Sequence, residues 1–199
     1  MEQLNLKRLE EFYKDFSDTG YAKEYTYARF RKANLLTAML TGIDDHTSWN
    51  LLDVGCGTGE ILSIIQPKRY WGVELREETL TYAALKRLTP LYNFSSEFPK
   101  KNDWTVAYLL GTINYKYHED VDFCKYEAKR LIHSAYNKLI KGGALLFTLN
   151  KTGIVEEKPI LTWTLFEVIN FLFTINYTLN NIILDTTFNN EYIIGIKKQ

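Results

Sequence analysis

Residues 51–60 read LLDVGCGTGE: an apolar run holding one acid, then glycines at positions 55, 57 and 59. An apolar run this short, bounded by glycine, predicts a buried strand over 49–54. Glycines at alternate positions let the backbone take positive φ and turn sharply, and they let a ligand come close to it. Residues 60–66 then predict a short helix stopped by Pro67. A helix start offers unpaired N–H groups. The stretch is therefore a strand, a tight turn and a helix, and the turn predicts a nucleotide-type ligand site.

The remainder of the chain predicts the sheet around that strand. Strands are expected at 70–75, ending at Glu74, weakly at 91–98, and clearly at 104–110 and 144–149. Helices are expected at 77–88, at 121–140 closed by Gly142-Gly143, and at 162–175. Two strands, 178–187 and 191–197, finish the chain around Asn189-Asn190, a pair that tolerates positive φ. Alternating strands and helices predict a mostly parallel sheet covered on both faces, with an antiparallel hairpin at one edge. Ahead of this core, residues 3–16 carry apolar side chains at helical spacing, and 17–20 break that helix. A second helix is expected at 23–41, with Tyr27, Phe30, Leu35, Ala38 and Met39 inward and Gly42 as its stop.

The glycine spacing selects among nucleotides. A dinucleotide fingerprint needs Gly-x-Gly-x-x-Gly, and from Gly55 the third glycine would fall at Glu60. No Lys-Ser/Thr pair of a P-loop follows. Asp53 and Glu60 would repel a pyrophosphate but suit a cationic ligand.

At this point the chain resembles the class I S-adenosylmethionine-dependent methyltransferases. LLDVGCGTG is similar to the family's first motif. WGVEL places Glu74 where the family has a ribose-binding acid. WTVAYLLGTINY, residues 104–115, resembles the fourth-strand segment, and KLIKGGALLFTLN, residues 138–150, the helix, Gly-Gly turn and fifth strand. The resemblance spans about 49–151, and the last two strands suit the family's terminal hairpin. It departs at Thr105, where the family usually has Asp, and at Ser95-Ser96-Glu97, where a clearer acid is usual.

The resemblance implies a three-layer Rossmann-like α/β sandwich with a seven-stranded, mostly parallel sheet and an antiparallel C-terminal hairpin. It implies one domain over 1–199, with 1–45 a helical lid or cover and 46–199 the core. It implies S-adenosyl-L-methionine as cofactor. The expected cofactor residues are Asp53, Gly55, Cys56, Gly57, Gly59, Glu74, Leu75, Ser96, Glu97, Leu109, Leu110 and Tyr21. Asp53 and loop carbonyls would take the ammonium, Glu74 the ribose, and Leu75, Leu110 and the Ser96-Glu97 region the adenine. Asn114, Tyr115 and His118 follow the fourth strand, where the acceptor is expected, and are the candidate catalytic residues. Tyr13, Tyr21, Tyr25 and Arg29 belong to the segment that covers the cofactor in related enzymes.

Lys+Arg 24 balances Asp+Glu 24, which gives no support to nucleic-acid binding. Base-amino methyltransferases often carry Asn/Asp-Pro-Pro-aromatic after the fourth strand; this chain reads GTINY there, with no proline. A small-molecule acceptor is the expectation. Two distant cysteines and no His cluster at ligand spacing predict neither a disulfide framework nor a metal site. The charged start MEQLNLKRLEEFYKDF and the interrupted run LTWTLFEVINFLFTINYTL predict a cytoplasmic protein with no membrane span. Oligomeric state is not encoded in any motif. Two other readings use the same pocket: a cofactor- or partner-binding module without turnover, and an aminopropyl-transferring or cofactor-cleaving enzyme.

Overall fold

The computed structural model describes residues 20–77, 79–80, 90–152, 160–174, 181–188 and 190–199, with side chains from residue 25 onward. The expected helix at 3–16, Tyr13, most of 17–20 and of the helix at 77–88, and Asn189 lie outside the described residues.

Among the described residues, eight strands form one sheet. They are β1 (Asn50–Val54), β2 (Arg69–Val73), β3 (Tyr92–Ser95), β4 (Trp104–Leu109), β5 (Leu139–Lys151), β6 (Thr162–Trp163), β7 (Ile182–Asp185) and β8 (Glu191–Lys197). The order is β3-β2-β1-β4-β5-β8-β7, with β6 pairing the end of β5. Pairing is parallel from β3 to β5, and β8 is antiparallel to both β5 and β7. The chain runs outward from β1 to β3, then returns to lay β4 beside β1. The carboxyl ends of β1 and β4 therefore flank the point where strand order reverses, which is where ligands bind in open α/β sheets.

Two core clusters lie on opposite faces, and strand residues alternate between them. One cluster packs Leu52, Ala107, Phe147 and Ile194 against α2 (Val121–Asn137) and α3 (Leu165–Thr174). The other packs Leu51, Val106, Leu146 and Ile193 against α1 (Gly20–Thr41) and the short 3₁₀ turn Glu60–Ser63. The three expected layers are present.

Several local expectations are corrected. The inward stripe of α1 is Phe30, Ala33, Leu36, Thr37 and Leu40, while Leu35 and Met39 are exposed. Small Ala33 and Thr37 allow the helix to approach Tyr108, whose hydroxyl lies 2.9 Å from Thr37 Oγ1. Gly20 belongs to α1, where the helix was expected only from residue 23. The helix after the glycine loop is a single 3₁₀ turn, Glu60–Ser63. α2 stops at Asn137, so Gly142-Gly143 does not close it. Those glycines instead shape an irregularity in β5, where pairing to β4 jumps from Trp104–Leu139 to Val106–Ala144. Gly142 has φ 80°, and a Cβ at Gly143 would stand 2.9 Å from the Thr105 carbonyl oxygen. The expected helix at 162–175 begins as the two-residue β6 and becomes helical only at Leu165. β6 makes the eighth strand, beyond the seven expected.

Candidate functional site

The loop after β1 is built on glycine as anticipated. Gly55, Gly57 and Gly59 have φ of 73°, 54° and 74°, all in the left-handed region that side chains resist. The N–H groups of Gly55 and Cys56 both donate to the Val73 carbonyl, at 2.7 and 3.1 Å, tying the loop to the end of β2. Thr112 Oγ1 donates to the Val54 carbonyl at 2.6 Å, tying it to the segment after β4. A Cβ on Gly55 would lie 2.1 Å from that same Oγ1, so only glycine fits there.

Three carboxylates surround this loop. Glu74 stands one residue beyond β2, and its Oε2 accepts from Gly57 N–H at 3.2 Å. Its Oε1 accepts from Leu75 and Arg76 N–H at 2.9 and 3.1 Å. Glu60 accepts from the Thr58 hydroxyl, and its Oε2 stands 3.2 Å from where a Gly57 Cβ would be. Asp53 is buried, and its Oδ2 accepts from Tyr70 Oη at 2.8 Å. Burial pushes the Asp53 carboxyl up to about 7, and the negative charges of Glu60 and Glu74 add to this against the Tyr70 hydrogen bond. The Cys56 thiol is buried beside it and pushed well up, by burial first and then by Asp53 and Glu74. Such a thiol is inert at neutral pH.

The segment after β4 is held from three sides: by β5, by β8 and by the stretch before β6. Gly111 N–H donates to Thr148 Oγ1 at 2.8 Å. Asn114 Nδ2 donates to Thr148 Oγ1 at 3.2 Å and to Glu191 Oε1 at 3.0 Å. The Asn114 carbonyl accepts from Leu161 N–H at 2.9 Å and Asn150 Nδ2 at 3.0 Å. Glu191 also accepts two bonds from Arg29 of α1, Nε at 2.8 Å and Nη2 at 2.9 Å. The Arg29 guanidinium lies over the Tyr25 ring at 4.8 Å, and burial beside Glu191 pushes the Tyr25 phenol up to about 12. The Arg29–Glu191 pair thus joins the N-terminal helix, β8 and the segment after β4.

The expected site residues divide by this geometry. Asp53, Gly55, Cys56, Gly57, Gly59 and Glu74 come together around one loop. Asn114 is buried and engaged with Glu191 and Thr148, and its Oδ1 has no partner among the described residues. Tyr115 lies next to it and pairs with Ile160 through an isolated bridge. His118 is exposed, accepts from Asp120 N–H through Nδ1 at 3.0 Å, and packs on Phe123. Leu110 is buried in the cluster under α1, whereas Leu109 points to the opposite cluster. Leu75, Ser96 and Glu97 are exposed at the ends of β2 and β3. The side chain of Tyr21 lies outside the described residues. Thr105 bonds to Asn50 at the far end of β1 and β4, so its departure from the expected Asp does not touch the loop.

Sequence reasoning passed over Tyr70, Thr112, Thr148 and Glu191. For Tyr70, Thr148 and Glu191 the signal was parity, while Thr112, in a loop, carried none. Asp53, Tyr108, Thr148 and Glu191 are polar residues within otherwise apolar strands, and all face α1.

No family model matches this chain, and no curated protein does. Solved structures do match. The plantazolicin methyltransferase BpumL, in complex with a monoazolic desmethylPZN analogue and S-adenosylhomocysteine, is 16% identical with a TM-score of 0.69, covering 100% of this chain and 95% of its own. Magnesium protoporphyrin IX methyltransferase from Synechocystis PCC 6803, with bound S-adenosylhomocysteine, is 13% identical with a TM-score of 0.63, covering 98% and 94%. An S-adenosylmethionine-dependent methyltransferase from Clostridium acetobutylicum ATCC 824 is 14% identical with a TM-score of 0.63, covering 96% and 98%.

Proposed function

We propose, for a chain with the Rossmann-like fold of the class I S-adenosylmethionine-dependent methyltransferases, that it binds S-adenosylmethionine and transfers its methyl group to a small acceptor. The observation that carries this reading is the glycine loop of β1 with Glu74 closing on Gly57. Three left-handed glycines expose backbone at the strand switch, and the charged side chains among their neighbours, Asp53, Glu60 and Glu74, are all acids. A loop of this charge fits a cationic nucleoside and opposes a pyrophosphate.

Within this reading Glu74 receives the ribose hydroxyls, and Asp53 with the loop carbonyls receives the ammonium. Leu110, Leu75 and the Ser96-Glu97 turn border the adenine. Bound there, S-adenosylmethionine supplies a methyl group already activated by its sulfonium. The protein's task is then mainly alignment. Asn114 and Tyr115 border the acceptor, and Asn114 acts by fixing Glu191 and Thr148. His118 is the one imidazole near this end of the sheet in sequence, and it serves as base if the acceptor loses a proton. Helix α1 covers the site as a packed layer, since Phe30, Ala33, Leu36 and Leu40 are core residues.

Balanced charge and the small-molecule methyltransferases among the similar structures support a small acceptor. Among the described residues no helix is long and apolar enough to cross a membrane. The test is calorimetry with S-adenosylmethionine, S-adenosylhomocysteine and NAD, followed by incubation with metabolite pools and methyl-labelled cofactor. Binding of the first two and a labelled product support the reading. Binding of NAD alone refutes it.

A further inference from the structure

The buried carboxyl of Asp53 is poorly compensated. Its one hydrogen-bond donor among the described residues is Tyr70, at 2.8 Å from Oδ2. The other groups around it are Cys56 of the loop, Tyr108 opposite it on β4, and the acids Glu60 and Glu74. Among the described residues, cations of α1 and of the turn after β2 are engaged by other carboxylates. On α1, Arg29 is held by Glu191 and Lys32 by Asp185 at 2.7 Å. Arg76 approaches Glu74 at 4.0 Å and is itself substantially exposed.

A carboxylate in such a place is costly when ionised, because burial and like charge both oppose it. The cheapest remedy without a ligand is a proton. A ligand's ammonium supplies the missing counter-charge and makes that proton unnecessary. We propose that Asp53 carries a proton in the ligand-free protein and releases it when a cationic group binds at the glycine loop, so that this one carboxyl selects ligands by charge. The inference rests on the S-adenosylmethionine reading of the loop and adds a proton to its binding equilibrium. The exchange balances: one ammonium enters beside the carboxyl, and one proton leaves to solvent.

The experiment is calorimetric titration with S-adenosylhomocysteine in two buffers of different ionisation enthalpy, at pH 6 and pH 7. The ligand's amino group titrates near the usual α-amino value of about 7.7–8.0, so it stays charged in this window. The expected result is proton release on binding that is larger at pH 6 than at pH 7, with affinity several-fold weaker at pH 6. Asp53→Asn keeps the shape, and it should abolish both the release and the pH dependence. Tyr70→Phe gives an independent check that leaves the carboxyl in place. Losing the phenol donor strengthens the hold on the proton, so release at pH 7 should rise above the wild-type value. Binding with no proton release at pH 6, or equal release from the Asp53→Asn variant, overturns the inference and leaves the cofactor reading standing. Absence of binding by the wild-type protein overturns the cofactor reading itself.

Discussion

Replacing Arg29 by methionine tests what fastens α1 to β8. The pair it breaks is nearly dry, with side chains 12% and 4% exposed. Glu191 would lose two charge-assisted hydrogen bonds and its counter-ion, and would keep the neutral Asn114 amide and the Tyr25 phenol as partners. Stranding a buried charge in this way costs about 3–5 kcal/mol. For a domain of this size that lowers the melting temperature by roughly 10 °C. Glu191→Met should cost about as much, because it strands the guanidinium instead. The double variant should cost far less than the sum. Two apolar side chains then meet where two charges did, and Asn114 Nδ2 still reaches Thr148 Oγ1 at 3.2 Å. Urea unfolding of the wild type, both single variants and the double variant gives the coupling energy directly. A coupling above about 2 kcal/mol is expected. Single costs below about 1 kcal/mol, or strict additivity, would refute the claim that this pair fastens α1 to β8.

Gly55→Ala should unfold or severely destabilise the protein, because its Cβ collides with Thr112. Gly142→Ala shares the positive φ but meets open space, so it should cost only about 1–2 kcal/mol; comparable urea midpoints for the two variants would contradict this. Glu74→Gln should preserve the fold and weaken S-adenosylhomocysteine binding by about 1–3 kcal/mol in calorimetry; unchanged affinity removes Glu74 from the ribose role. The Asp53 carboxyl, ordinarily near 3.8, stands at about 7 when folded. The folded chain then binds the proton more tightly than the unfolded one, so this contribution to stability is full below pH 4 and is lost as pH rises to 7. Asp53→Asn should flatten the wild-type decline in urea stability between pH 5 and pH 8, a term of at most about 3 kcal/mol in that window; parallel pH profiles would refute it.

The glycine loop was legible because its chemistry is local. Positive φ at three alternate positions is written in three letters, and so is an acid at the end of the next strand. The layers were legible too, because strands buried on both faces read as apolar runs. What was hidden depends on contacts between distant residues. Glu191 opens an apolar strand directly after a turn, and only the pairing of β8 with β5 brings it to Asn114 and Arg29. The same holds for Thr112, which looks like an ordinary loop threonine until β4 is laid beside β1 and its hydroxyl reaches the Val54 carbonyl. Gly142-Gly143 misled for a related reason. A glycine pair after a helical run suits a helix stop, but the demand it meets is the close approach of β5 to Thr105, a tertiary contact. The shift of the α1 stripe has that origin as well. Periodicity admits more than one apolar face on this helix, and Tyr108 with its hydroxyl selected the face that offers Thr37 and Asn34 as partners. The polar residues that face α1 from buried strands therefore do two jobs. They choose which side of the helix packs, and in choosing it they surround the carboxyl ends of β1 and β4 with the groups that a ligand there must meet.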